Sequence, residues 1–336
     1  MKELIQKVTG GGDLTRQEAA SAMRTIMEGG ATDVQIAGLL IALRTKGETT
    51  EEVLGFVEVM RERCVRVAIE DSDAIDMCGT GGDGTGTFNI STVASFVVAG
   101  AGVTVAKHGN RSISSACGSA DVLKALGVTI DLPPERAGDC INEVGIGFLF
   151  APLFHPAMKH AARARAELGI KTLFNILGPM TNPAGVRRQL VGAFSEGAAQ
   201  MMAGAFSQLD PLRVLVIHSH DGLDEVSLEA NTMLFEIERE ISHEKSHLEP
   251  GLFGLQAVRR DSILGGSSEA NAAIALRILG GEKSPHRDIV LANSALGLMA
   301  AGKTRSVPDA VLIAAESIDS GSALRKLEEL RAYSTR

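Results

Sequence analysis

The stretch Asp76-Met77-Cys78-Gly79-Thr80-Gly81-Gly82-Asp83-Gly84-Thr85-Gly86-Thr87-Phe88-Asn89-Ile90-Ser91-Thr92 decides how this chain is read. It leaves a short β-prone run, Ile75 to Cys78, crosses a glycine-rich loop and enters an apolar helical stretch. Glycine lets a backbone approach a ligand and adopt positive φ, so successive N–H groups and the next helix N-terminus can donate to phosphate oxygens. Taken alone, such a loop also reads as an ordinary flexible turn. The Gly79-x-Gly81-x-x-Gly84 spacing matches a dinucleotide fingerprint, but the following strand ends at Lys107, where a ribose-binding Asp or Glu is expected. A Walker A loop fails too, because no Lys-Ser or Lys-Thr follows the glycines at the required place.

Working outward, further β-prone runs occur at Val103 to Val105, Gly147 to Phe150 and Val214 to Ile217, with helical stretches between them. That alternation predicts a mainly parallel α/β domain. Upstream, Thr15 precedes Glu18, Thr32 precedes Gln35 and Thr49 precedes Glu52, each in the spacing of a capping box, with Gly29-Gly30 and Gly47 as stops. Residues 1 to about 65 therefore read as a small helical unit. His155 to Gly169 is again helical, and Gly178-Pro179 with Asn182-Pro183 punctuates a loop. After Ser267 four helices follow, broken at Gly280-Gly281, at Gly302 and near Gly321, and are expected to cover the sheet.

Composition narrows the function classes. A chain of 336 residues, 45% hydrophobic, can bury a large core and suits two domains. A formal charge of −8 argues against a general nucleic-acid binder, so any anionic ligand must be held by a local cluster of donors. The longest weakly polar stretch, Ala94 to Ala106, is too short for a membrane helix, and Met1 to Lys7 mixes both charge signs without the apolar core of a secretory signal. Cys64, Cys78, Cys117 and Cys140 form no Cys-x-x-Cys pair, which fits reduced thiols in a cytoplasmic protein.

Two more clusters carry chemistry. Lys107 to Asp121 combines cations, small hydroxyls and glycines, the inventory needed to hold a polyanion; in isolation it also reads as a solvated turn with capping serines. Ligands of open parallel sheets sit beyond the carboxyl ends of the strands, so this loop and the glycine loop should face one crevice and hold a phosphate-rich ligand. His218-Ser219-His220-Asp221-Gly222-Leu223-Asp224-Glu225-Val226-Ser227 again follows a strand. Its hard carboxylate oxygens suit magnesium carrying pyrophosphate; an acidic turn, or zinc on His218 and His220, are the competing readings.

At these residues the sequence resembles the anthranilate phosphoribosyltransferase family, through the Cys-Gly-Thr-Gly-Gly-Asp loop, Lys-His-Gly-Asn-Arg-Ser, Gly-Pro-x-Thr-Asn-Pro-Ala and Asp-Gly-Leu-Asp-Glu, in order along nearly the whole chain. The resemblance implies an α/β domain with a mainly parallel sheet flanked by helices, shared with nucleoside phosphorylases, and a separate small all-α domain. It places the helical domain at 1–70, completed by roughly 163–185, the α/β domain at 71–336, and the active site in the hinge of a homodimer's subunit. It implies transfer of the phosphoribosyl group of 5-phosphoribosyl-1-pyrophosphate (PRPP) to the amine of anthranilate. Gly79, Gly82, Asp83, Thr87, Asn89, Ile90, Ser91, Thr92, Lys107, His108, Gly109, Asn110, Arg111, Ser112, Ile113, Ser114, Ser115 and Ser119 would line the PRPP site. Gly79, Asn110 and Arg165 would meet anthranilate, with His108, His155 and Gly178-Pro179-Met180 bordering it, and Ser91, Asp224 and Glu225 would hold Mg2+. Ala116-Cys117, Arg163 and Lys171 depart from the family's commonest pattern without removing a proposed ligand. The alternatives are a nucleoside phosphorylase of the same fold and a nucleic-acid-binding relative, the latter disfavoured by the acidic balance.

Overall fold

The computed structural model describes residues 1–81, 84–111, 117–239 and 241–336, with the backbone alone at 241–244. The chain opens with four helices: α1 (Lys2–Thr9), α2 (Arg16–Met27), α3 (Asp33–Lys46) and α4 (Thr50–Glu62). Thr15, Thr32 and Thr49 cap α2, α3 and α4 through complete capping boxes, as their spacing predicts. Glu52 does more than close its box. Fully buried, it accepts from the Leu14 amide at 2.8 Å and from Lys46 at 3.1 Å, tying the start of α2 to the end of α3.

The α/β part is one seven-stranded sheet in the order β3-β2-β1-β4-β5-β6-β7. Its parallel strands are β1 (Ile75–Gly79), β2 (Val105–Gly109), β3 (Ile146–Phe150), β4 (Arg188–Gly192) and β5 (Arg213–Ser219); β6 (Thr232–Glu238) and β7 (Ile241–Leu248) add an antiparallel edge. The second strand starts two residues later than the run Val103 to Val105 suggests, because its pairing with β1 begins at Val105 opposite Ile75. The strand order reverses at β1, with β2 and β3 added on one side and β4 and β5 on the other, so the switch point of the sheet falls at the ends of β1 and β4.

Helices, which between β2 and β4 include α6 (Ser119–Ala125), α7 (Pro134–Val144) and the short α8 (Ala151–Phe154), cover both faces of the sheet, so side chains alternate between two cores. Leu190, Leu215 and Ile217 pack on the side of α5 (Ile90–Gly100) and of α13 (Pro285–Ala300), α14 (Val307–Asp319) and α15 (Ser322–Ser334), which follow α12 (Ser268–Leu279) as the four C-terminal helices. Val191, Val214 and Val216 pack on the other side with α11 (Glu196–Phe206) and with the helical unit. That second core also takes in Ala161 and Ala164 of α9 (Lys159–Leu168) and Phe174 and Leu177 of α10 (Leu173–Leu177), which lie against Leu39, Leu43 and Phe56. Among the described residues no helix is long and apolar enough to cross a membrane.

Candidate functional site

Five parallel strands end on one side of the sheet, and the described sequence-predicted residues of the strand-end loops gather there. The decisive place is the switch point, where Gly79 of β1 is in register with Gly192 of β4. Asp224 rests against both: a Cβ on Gly79 would come 2.7 Å from Asp224 Oδ2, and one on Gly192 would come 1.5 Å from the Asp224 carbonyl oxygen. The two glycines are therefore needed for close approach of the 224–225 turn. Asp224 Oδ2 accepts from the Gly81 amide at 3.0 Å, and Glu225 Oε1 accepts from the Ser91 amide at 3.0 Å in the first turn of α5. A carboxylate there is favoured by the exposed N–H groups and dipole of the helix. The adjacent Asp224 and Glu225 thus reach across the sequence to Gly81 and Ser91, at either end of the stretch that links β1 to α5.

The glycine loop is buttressed from outside. Thr87 forms an antiparallel bridge with Leu264, the Gly265 amide donates to the Gly86 carbonyl at 2.8 Å, and the Phe88 amide donates to the Ile263 carbonyl at 3.3 Å. Asn89 precedes Ile90 and Thr92 at the start of α5 and joins two loops: its amide donates to the Cys117 carbonyl at 3.1 Å, and its oxygen accepts from Asn271 at 3.0 Å. On β2, Gly109 leads into Asn110, whose carbonyl accepts from Ser119 Oγ at 3.2 Å and from the Ala120 amide at 3.2 Å. Arg111 lies over the Phe150 ring. Gly82, Asp83, Ser112, Ile113, Ser114 and Ser115 lie outside the described residues.

Lys107 is buried, its ammonium donating to the Met77 carbonyl on β1. Burial lowers its pKa, against which the charges of Asp76, Cys78 and Glu225 act. Asp76 is fully buried beside it, accepting from the His108 amide at 3.1 Å and from Asn182 at 2.9 Å. Burial raises the Asp76 carboxyl above the usual range while Lys107 pulls it down.

His108 and His155 face one another with ring centroids 5.2 Å apart. His108 Nδ1 lies 3.2 Å from the Gly178 carbonyl, which can only accept, so Nδ1 carries the proton. Burial pushes His108 down to about 3 and His155 down to about 4. In the unfolded chain both rings take up protons near 6.5, so the unfolded state binds more protons below that pH. Stability present above pH 6.5 is therefore expected to fall as pH drops towards about 4. Thermal unfolding midpoints measured across this window should decline less steeply in His108→Gln/His155→Gln; an unchanged slope refutes this origin.

Arg165, on α9, packs over the Phe174 ring at 5.3 Å, and Phe174 in turn meets Phe56 edge-on at 6.2 Å. Burial lowers its pKa. Arg165 thus stands on the helical side of the crevice, with Gly79 and Asn110 at strand ends on the other. The segment after α9 reaches the end of β4 and, through it, the glycine loop: Lys171 lies over the Phe194 ring at 4.2 Å, and the Phe194 amide donates to Thr80 Oγ1 at 3.0 Å. His218 Nδ1 lies 2.8 Å from the Ala193 carbonyl, and among the described residues no group of three or more His, Cys, Asp or Glu side chains is arranged to hold a metal. The donor set at Ser91, Asp224 and Glu225, two carboxylates and a hydroxyl, instead fits magnesium, which keeps few protein ligands and shares its shell with substrate phosphates.

Sequence reasoning missed Gly192, Thr80 and Asn271. Gly192 ends an unrecognised strand, Arg188-Gln189-Leu190-Val191-Gly192, and that glycine at a strand end was the available signal. Thr80 lies within the quoted glycine loop without a role assigned to it, and nothing local marks Asn271.

Residues 2–64 match the glycosyl transferase family helical bundle domain and residues 71–324 the glycosyl transferase family a/b domain. The chain is 52% identical over 330 residues to the anthranilate phosphoribosyltransferase of Pelotomaculum thermopropionicum, covering 98% of this chain and 95% of that one. The crystal structure of anthranilate phosphoribosyltransferase from Thermus thermophilus is similar at TM-score 0.93 and 43% identity, covering 99% of each chain. The Saccharomyces cerevisiae enzyme in complex with PRPP and Mg is similar at TM-score 0.91 and 27% identity, covering 99% of this chain and 97% of that one. Likeness of this extent in both sequence and fold leaves one assignment, and the chain belongs to the anthranilate phosphoribosyltransferase family.

Proposed function

We propose that the crevice at the switch point is where this enzyme transfers the phosphoribosyl group of PRPP to the amine of anthranilate, giving N-(5-phosphoribosyl)anthranilate and pyrophosphate in tryptophan biosynthesis. The observation that carries the residue assignment is the convergence of Asp224 and Glu225 on Gly79, Gly81 and Ser91. Gly79, Gly82, Asp83, Thr87, Asn89 to Thr92, Lys107 to Ser115 and Ser119 hold PRPP, and Gly79, Asn110 and Arg165 hold anthranilate. Ser91, Asp224 and Glu225 hold Mg2+, which when bound supplies a Lewis acid on the departing pyrophosphate.

The chain's own part is placement and charge. The glycine loop and the start of α5 present backbone donors to phosphate oxygens beside the Gly81 and Ser91 amides, which Asp224 and Glu225 hold. Lys107, set behind β1, contributes positive charge to this side of the crevice. Arg165, steadied by Phe174, offers the substrate carboxylate a planar fork. The anomeric carbon can develop oxocarbenium-like charge as pyrophosphate leaves, and the aromatic amine is neutral near pH 7, so no covalent nucleophile and no strong base is required.

Packing of α9 and α10 on α3 and α4 supports a helical domain of 1–70 completed by 163–185, with 71–336 as the α/β domain. The same proposal includes a cytoplasmic homodimer; sedimentation tests the dimer.

The reaction is followed as loss of anthranilate fluorescence with PRPP and Mg2+, each omitted in turn. Arg165→Ala is expected to raise the KM for anthranilate about 10- to 100-fold, because a bidentate charged contact is lost, with a smaller change in the KM for PRPP. An unchanged anthranilate KM would remove Arg165 from the acceptor site.

A further inference from the structure

The loop between α10 and β4 opens with a single 3-10 turn, Gly178–Thr181, and proline then cuts off its backbone donors. Pro183 has no N–H to close a turn on the Met180 carbonyl, and Pro179 none for the Ile176 carbonyl. Pro179, Met180, Thr181 and Asn182 are buried, so their carbonyls cannot turn to water instead. Side chains from three other elements bond three successive carbonyls, of which Gly178 also accepts from Thr181 Oγ1 at 3.1 Å. His108 of β2 donates to Gly178 at 3.2 Å, Gln189 of β4 donates to Pro179 at 2.7 Å, and Arg61 of α4 donates through Nε to Met180 at 2.7 Å.

Neither Gln189 nor Arg61 belongs to the substrate-binding set above. Gln189 is almost fully buried, at 2% exposure, and sits in register beside Asp76, which anchors Asn182 of the same loop. Arg61 comes from the helical unit and forms no ion pair with a carboxylate among the described residues. Burial, with Arg66 nearby, lowers it to about 10, so it remains a cation at neutral pH and makes a charge-assisted bond.

We propose that Gln189 and Arg61 are positioning residues for the acceptor substrate, holding the wall Gly178 to Met180 in its binding shape before anthranilate arrives and tying it to the sheet and the helical unit at once. The inference rests on the reading that this loop borders the aromatic substrate. Loss of Arg61 leaves the buried Met180 carbonyl without its donor, and loss of Gln189 removes the tie between the Pro179 carbonyl and the sheet, so in either case the wall is free to shift.

The test compares Gln189→Leu, Arg61→Met and Arg61→Lys with the parent in steady-state assays, with Arg165→Ala alongside. Gln189→Leu and Arg61→Met are expected to raise the KM for anthranilate about 10-fold or more while the KM for PRPP stays within about twofold, since small misplacements at a binding wall have effects of this size. Arg61→Lys, which keeps a charged donor, should regain most of the loss. Equal rises in both KM values, or a lowered unfolding temperature with unchanged kinetics, would overturn the proposal. If Arg165→Ala raises the anthranilate KM and the other two variants do not, positioning alone is refuted; if none of them does, the acceptor-site reading has failed. Should the variants not fold, hydrogen exchange on the parent decides. The amides of Met180 and Thr181 are expected to be protected equally with and without anthranilate, and protection gained only on adding anthranilate overturns a preformed wall.

Discussion

Replacing Asp224 and Glu225 together by alanine is expected to lower kcat/KM by about 1,000-fold or more, the largest loss of any substitution on the crevice rim. The two carboxylates do two things at once. On the proposed reading they supply the negative charge that draws Mg2+ to the pyrophosphate, and they dock on the two elements proposed to cradle phosphate, Asp224 on the Gly81 amide and Glu225 on the Ser91 amide. Without them the metal has only a serine hydroxyl from the chain, too weak to fix it against water. The decisive measurement is rate against magnesium concentration at saturating anthranilate. The double variant should need far more metal and still fall short of the parent at the plateau, because the remaining metal is no longer placed on the leaving group. A variant with the parent's magnesium dependence would remove these residues from the metal site. Folding should survive, since both side chains are only partly buried and the two hydrophobic cores are untouched.

How much of this was legible in the sequence depends on whether the signal is local. Capping boxes at Thr15, Thr32 and Thr49 lie within four residues, and all three form. The four C-terminal helices are bounded by glycines and are found where those glycines place them. Strands β4, β6 and β7 escape such a reading. The strand Arg188–Gly192 is short and begins with two polar residues, so only Leu190 and Val191 are left as a β-prone pair ahead of the glycine. β7, Ile-Ser-His-Glu-Lys-Ser-His-Leu, lies at the sheet edge, where charged residues discourage pairing with other chains and erase the hydrophobic alternation. The site follows the same rule. Loops rich in glycine and hydroxyl residues announce phosphate chemistry, but the meeting of residue 224 with residues 79, 81 and 192 is set by strand order, which periodicity does not carry.

Gly192 makes that limit testable, and Gly192→Ala is expected to cost about 100-fold in kcat/KM without contacting a substrate. Its Cβ would lie 1.5 Å from the Asp224 carbonyl oxygen and 2.6 Å from its carbonyl carbon. Ordinary contacts need 3.4 Å or more, so one of the two backbones must move. β4 is held between β1 and β5 along its whole length, whereas 222–225 is a turn. The turn therefore yields, and it carries the Asp224 and Glu225 carboxylates away from Gly81 and Ser91. Overpacking of this kind costs roughly 1–3 kcal/mol of stability, little enough for a chain with two large cores to remain folded. Gly197→Ala supplies the control, since Gly197 lies in the first turn of the next helix, α11, where an added Cβ would meet nothing within 4 Å, and alanine there should leave activity unchanged and raise stability slightly. If Gly192→Ala keeps the parent's rate and magnesium dependence, the 224–225 turn is not the element that places the metal, and the crevice must be assembled from the glycine loop and α5 alone.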